Sequence, residues 1–205
     1  MAVGRGGALT QTLGVGQIRV QSAAAASYLD AMRYRIFDTT LGQMAIGWTD
    51  RGICRVMLPG DSPENMRARL AERDGVEDRD GQPEVVGRIV AYAEGAKDNF
   101  ADLALDLAEV PASNRRIYEH IRELGWGETT TYGAIARWLG DVALSRAVGA
   151  AMGANPIPLV IPCHRVLAAD GKTGGFSSPN GVRTKMQMLA LEKAASPTGQ
   201  FSFGF

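Results

Sequence analysis

Cysteine and histidine are scarce in this 205-residue chain: two of each occur, Cys54 and Cys163, His120 and His164. Two cysteines in unlike sequence contexts cannot build a disulfide framework, so a reducing compartment is the expectation. They show no paired metal-ligand spacing, and His164 abuts Cys163, so no metal site is expected. There is also no apolar run near the roughly 18 residues that a bilayer span requires, and the N-terminus lacks the charged start and continuous apolar stretch of a secretory signal. The expected location is cytoplasmic, with no membrane partner. Net charge is likewise absent, with 22 basic and 22 acidic side chains. That balance argues against a nucleic-acid partner only until the chain is divided. Residues 1–108 hold 12 Lys/Arg against 15 Asp/Glu, whereas residues 109–205 hold 10 against 7. The second half is the one expected to face an anion.

What the chain does have is a hydrophobic content of 45%, enough for one large domain or two small ones. Residues 1–29 are rich in Gly, Ala, Gln and Ser without periodicity and read as a loosely ordered leader; residues 196–205 read as a tail. Between them the alternation of apolar and polar residues predicts strands at Tyr34–Thr39, Gln43–Thr49 and Ile53–Leu58, joined by turns at Thr40-Leu41-Gly42 and Asp50-Arg51-Gly52. Ser62-Pro63-Glu64 is a helix start, and a second helix over Glu84–Ala96 carries Val85, Ile89 and Ala93 on one stripe. The alternation of Leu103, Leu105 and Leu107 predicts a further strand returning to the sheet edge.

After Val110-Pro111 the pattern becomes helical. A helix over Asn114–Leu124 carries His120, read as a surface or packing residue. The next starts after Thr129-Thr130-Thr131 with Ile135, Trp138 and Leu139 inward, and a third runs from Ala143 or Leu144 to Met152. The short connection resembles a helix-turn-helix, although spacing alone fits a plain helical hairpin better. In the third helix Leu144, Val148 and Met152 form the core stripe. Ser145, Gly149 and Ala150 leave a face nearly free of side chains, interrupted by Arg146. Such a face suits either tight helix packing or entry into a DNA groove.

The chemistry concentrates in Asn155-Pro156-Ile157-Pro158-Leu159-Val160-Ile161-Pro162-Cys163-His164-Arg165-Val166. Three prolines exclude helix and hold the chain extended, so Cys163 emerges from a rigid apolar segment. Its neighbours His164 and Arg165 are groups that lower a thiol's pKa and favour the thiolate. Cys54, inside a strand pattern, reads as a small core hydrophobe.

Pro162-Cys163-His164-Arg165-Val166 is preceded by Gly127-Glu128-Thr129-Thr130-Thr131-Tyr132-Gly133, Ser145-Arg146-Ala147-Val148-Gly149 and Asn155-Pro156, and followed by Gly171 and Gly175-Phe176-Ser177. In this order the motifs closely resemble the O6-alkylguanine-DNA alkyltransferase family, the methylated-DNA–protein-cysteine methyltransferases, from about Arg116 to Glu192. The resemblance implies an α/β (α+β) fold. A ribonuclease-H-like three-layer domain would span 30–108, and a mostly helical, winged-helix-like domain for DNA binding and alkyl transfer 109–195. It implies irreversible, stoichiometric transfer of an alkyl group from O6-alkylguanine, and from O4-alkylthymine, in double-stranded DNA to Cys163, by a monomer needing no cofactor. His164 would deprotonate Cys163 through a water, Glu192 would orient His164, Tyr132 would contact the base and its 3′ phosphate, and Asn155 would brace the helix–cysteine junction. Arg146 would fill the gap left by the flipped base, with Ser145, Ala147, Gly149, Ala150, Tyr132 and Arg165 on the DNA. Ser177 and the backbone at Cys163 and Val166 would hold the guanine, and Pro158 and Phe176 the alkyl group. Phe176 stands where many relatives have Tyr, Gly125-Trp126 replaces a usual Ile-Pro, and the loop Ser177–Gly181 is longer than common. Two rivals remain at this point: a cysteine hydrolase, which the adjacency of Cys163 and His164 disfavours, and a non-catalytic regulator or damage sensor, which Cys163 itself disfavours.

Overall fold

The computed structural model describes residues 31–169 and 173–194. The leader, the tail and Gly171 lie outside the described residues. The chain is a mixed α/β protein with two small sheets. β1 (Arg33–Phe37), β2 (Met44–Thr49) and β3 (Gly52–Met57) form the expected antiparallel meander, with Tyr34 opposite Gly47 and Ile46 opposite Val56. The turn glycines Gly42 and Gly52 take φ of 120° and 137°, a region that other residues rarely enter. A short β4 (Val76–Glu77), absent from the sequence expectation, pairs in parallel with β1 and completes the order β3-β2-β1-β4.

Between these strands lies α1 (Pro63–Ala71), capped by Ser62, whose Oγ accepts from the Asn65 amide at 3.3 Å, with Pro63 in its first turn. α2 (Pro83–Ala93) buries Val85, Ile89 and Ala93 as its stripe requires, together with Tyr92. The strand expected at Leu103, Leu105 and Leu107 does not form. That stretch makes a single bridge, Ile53 with Leu105, held by the Ile53 amide on Ala104 and the Asp106 amide on Ile53. The leucines pack against the core without a ladder.

The second half contains α3 (Ala112–Ile121), β5 (Thr130–Thr131), α4 (Tyr132–Trp138), a 3-10 turn (Val142–Leu144), α5 (Ser145–Gly153), a second 3-10 turn (Cys163–Arg165), β6 (Val166–Leu167) and α6 (Val182–Leu191). Two inward assignments are corrected. Trp138 is exposed, its ring stacked on His120 at 3.9 Å and approached by the Arg116 guanidinium at 5.1 Å. Leu144 ends the 3-10 turn and is exposed; Ala151 joins Val148 and Met152 on the buried stripe instead. The extra turn rotates Leu144 off the helical phase of α5. One hydrophobic cluster joins Trp48, Ile89, Tyr92 and Phe100 of the first half to Ile117, Tyr118, Val148, Ile161 and Cys163 of the second. Burial of each large side chain in it contributes roughly 1.5–3 kcal/mol. No helix among the described residues is long and apolar enough to cross a membrane.

Candidate active site

Two local structures bring the chemical residues together. The first is the parallel pairing of β5 with β6, in which Thr130 faces Val166 and Thr131 faces Leu167. Thr131 is also the N-cap of α4, its Oγ1 accepting from the Ala134 amide at 3.1 Å, so Tyr132 enters the site from a fixed helix start. The second is Asn155. Its Nδ2 donates to the Ile161 carbonyl and its Oδ1 accepts from the Ile157 amide, both at 2.9 Å, closing the proline-rich loop into a rigid arch. Within the arch Leu159 takes φ of 78° while almost fully buried. The Tyr118 hydroxyl donates to the Ala151 carbonyl at 2.6 Å and fixes the end of α5 above it.

Cys163 sits at the end of this arch, buried, its amide donating to Ile161. Burial pushes its thiol pKa up. A hydrogen bond from Asn155, the charge of Lys185 and backbone amides oppose that push. The thiol is therefore not made acidic by Arg165, as its position in sequence had suggested. Arg165 turns away into the interior, only 2% exposed, with Nε and Nη2 donating to Glu192 at 2.8 and 2.9 Å and Nη1 to the Leu124 carbonyl. With its guanidinium so committed, Arg165 has no group to offer DNA, which corrects the contact expected of it.

His164 is fully buried and its Nε2 lies 2.8 Å from Glu192 Oε1, while Nδ1 has no partner among the described residues. Burial lowers the His164 pKa, and Glu192 is held far below the usual carboxylate range by its hydrogen bonds to His164 and Arg165 against an opposing effect of burial. The ionised carboxylate can only accept, so the Nε2 of a neutral ring carries the proton and Nδ1 is left as a base. Glu192 accepts further hydrogen bonds from the Tyr92 hydroxyl at 2.7 Å and the Gly127 amide at 3.4 Å. Gly127 takes φ of 72°, and a Cβ there would lie 2.8 Å from the Glu192 carbonyl oxygen, so this close approach requires glycine.

The third helix's bare face is open. A Cβ added at Gly149 would meet nothing within 4 Å, and Arg146, Ala147 and Ala150 are exposed. Tight packing, one of the two readings of that face, is thereby excluded. Ser145, Arg146, Gly149, Tyr132, Phe176, Ser177 and Cys163 line one cavity of about 470 Å³. Pro158 lies on a second cavity that also reaches Cys163. Val166 is buried, with its carbonyl accepting from Lys185 Nζ at 2.6 Å. No group of three or more potential metal ligands occurs among the described residues.

This chain is 34% identical over 166 residues, 81% of its own length and 95% of the relative's, to a methylated-DNA–protein-cysteine methyltransferase of Mycolicibacterium paratuberculosis. It belongs to the methylated-DNA–protein-cysteine methyltransferase family. A mouse methylated-DNA–protein-cysteine methyltransferase is 32% identical over 185 residues, 82% of this chain and 84% of the mouse protein. The family model for the DNA-binding domain of 6-O-methylguanine DNA methyltransferase matches residues 112–194. The solved structure of Mycobacterium tuberculosis OGT in complex with DNA superposes with a TM-score of 0.66 at 28% identity, over 78% of this chain and 92% of that one.

Two site residues of this methyltransferase-family chain were not singled out from sequence. Tyr92 reaches Glu192 across 100 positions and carries no local mark beyond its place in an apolar stripe. Lys185 did leave a signal: it lies with Thr184, Met188 and Leu189 on the buried face of α6, where lysine is rarely found unless bonded. Its ammonium donates to the Val166 and Thr173 carbonyls, and burial lowers its pKa to about 8.

Proposed function

We propose that the protein repairs double-stranded DNA by moving the alkyl group of O6-alkylguanine, and of O4-alkylthymine, irreversibly onto Cys163. The observation that carries this reading is the buried Cys163 beside a neutral His164 whose Nε2 is fixed by Glu192, at the floor of a cavity bordered by the open face of α5. His164 Nδ1 takes the Cys163 proton through a water. The thiolate attacks the alkyl carbon, and the carbon–O6 bond breaks with its electron pair moving to the guanine, to which Tyr132 supplies a proton. Asn155 holds the arch, Ser177 and the Cys163 and Val166 backbone hold the base, and Pro158 and Phe176 enclose the alkyl group.

In the same reading residues 30–108 form a ribonuclease-H-like domain and residues 109–195 a winged-helix-like one. The protein acts in the cytoplasm as a monomer, since one chain supplies the whole site. α5 enters the minor groove through Ser145, Ala147, Gly149 and Ala150, and the base is flipped into the cavity beside it. The site lends less to a cysteine hydrolase, because Cys163 and His164 are adjacent in the chain, whereas hydrolases usually place nucleophile and base far apart in sequence.

Arg146 is exposed at the cavity rim and fills the space left by the flipped base. Arg146→Ala is expected to slow repair of a duplex far more, on the order of a hundredfold, than reaction with the free alkylated base, because only the duplex must be held open at a cost of a few kcal/mol. Single-turnover rates on the two substrates check this; equal losses would remove Arg146 from that role.

Tyr92 is a positioning residue for Glu192. Tyr92→Phe removes one charge-assisted hydrogen bond and is expected to cost about 1.5–3 kcal/mol of stability in urea unfolding. The pH at which transfer fails on acidification should also move, because His164 loses part of the support that fixes its partner. An unchanged pH profile would leave Tyr92 with a packing role only.

A further inference from the structure

Two cavities meet at Cys163. The one bordered by α5 and Tyr132 is the entry for the flipped base; the other, of about 380 Å³, shares Cys163, Met152, Gly153, Phe176 and Ser177 with it but continues past Pro158 into the first half of the chain. There it is lined by three arginines, Arg55 on β3, Arg69 on α1 and Arg73 just after α1. Whatever the base carries beyond the transferred carbon must lie in this second cleft, since the base itself fills the first.

The charges along the cleft are not equivalent. Arg69 donates to Asp61 at 2.6 Å and Arg73 to Glu109 at 3.1 Å, and Asp61 and Glu72 also line the space. Arg55 is half-buried, and its guanidinium has no hydrogen bond or ion pair among the described residues. Burial, and after it the neighbouring Arg73 and Arg69, disfavour its charged form, only partly offset by Cys54 and Glu109. A planar guanidinium in that condition is relieved by an anion that can accept two hydrogen bonds at once, and a carboxylate does so.

We propose that this second cleft receives the far end of the transferred group, and that Arg55 makes the protein selective for groups ending in a carboxylate. The inference rests on the alkyl-transfer reading above. The reacting step is unchanged: the Cys163 sulfur–carbon bond forms, the carbon–O6 bond breaks, the electron pair leaves on the guanine, which takes up a proton, and the carboxylate is carried over intact.

The test uses the full chain and three duplexes, each with one guanine bearing at O6 a methyl, a 4-carboxybenzyl or a 4-(aminomethyl)benzyl group. Single-turnover rates are measured, with the protein mass confirming transfer. Wild type is expected to favour the carboxylate over the ammonium by about tenfold, the size of a partly exposed charge-assisted pair. Arg55→Gln should bring that ratio near one and Arg55→Glu should invert it, both leaving methyl transfer unchanged. Intact methyl transfer also reports that each variant is folded, and of the two variants the one that is folded decides whether Arg55 sets the ratio. A wild-type ratio near one, the same ratio in Arg55→Gln, or methyl transfer with no reaction of either benzyl group would overturn the selectivity while leaving alkyl transfer standing. Failure of methyl transfer in the wild type would instead overturn the parent reading, and this one with it.

Discussion

Mixed with an excess of duplex carrying O6-methylguanine, the protein is expected to repair one lesion per molecule and stop, with the mass of one methylene added to the peptide that contains Cys163. Attack of a thiolate on an alkyl carbon gives a thioether, which offers water no acyl or phosphoryl centre to reopen. Cys54 cannot resolve it. Its thiol is pushed up to about 11, chiefly by burial and then by the charge of Asp106, and it lies on β3. Burial raises the pKa of both cysteines, so acidity does not choose between them. The choice falls to geometry, because of the two cysteines only Cys163 lines the two cavities and has a histidine next in the chain. Cys163→Ala should therefore abolish transfer while leaving duplex binding intact, since the exposed face of α5 does not involve the thiol. Intact-mass spectrometry against a titration of lesion checks the stoichiometry. Continued turnover, or label on Cys54, would refute it.

The parts that were legible in sequence are those written into local spacing. The meander could be read because its alternation is bounded by Gly42 and Gly52, whose positive φ the turns demand. The cysteine arch could be read because prolines allow few conformations. β4 escaped because two residues carry no periodicity. Leu103, Leu105 and Leu107 misled because alternation fixes which side a residue faces but not whether a partner strand lies within reach. Trp138 misled because a helical stripe marks an apolar residue as inward, whereas Arg116 and His120 cover its ring at the surface. Arg165 was read from its neighbours in the chain, and its function is set by Glu192, 27 positions away. The same holds for Tyr92. A buried carboxylate gathers partners in three dimensions, and nothing in the local pattern around each partner announces it.

Glu192→Gln is expected to be among the most damaging single changes to this protein, in both stability and rate. The carboxylate is the counter-charge of a guanidinium that is itself buried, and removing it leaves Arg165 charged without a counter-charge, which costs about 3–5 kcal/mol. The pH dependence has a definite sign. The folded-state pKa of Glu192 is lowered, first by its hydrogen bonds to His164 and Arg165, so its stabilisation is complete above the usual glutamate pKa and lost progressively as pH falls below it. Wild type should lose stability steeply in that acidic window, and the variant should lose much less there because it has no carboxylate to protonate. Transfer should also slow, on the order of a hundredfold or more, because the neutral amide can present its NH₂ as well as its oxygen to His164 and no longer fixes the proton on Nε2. Urea unfolding between acid and neutral pH measures the first effect. Single-turnover transfer by the folded variant measures the second. A variant as stable as wild type at neutral pH would mean that Glu192 does not neutralise Arg165, and one transferring at the wild-type rate would mean that it does not set the state of His164.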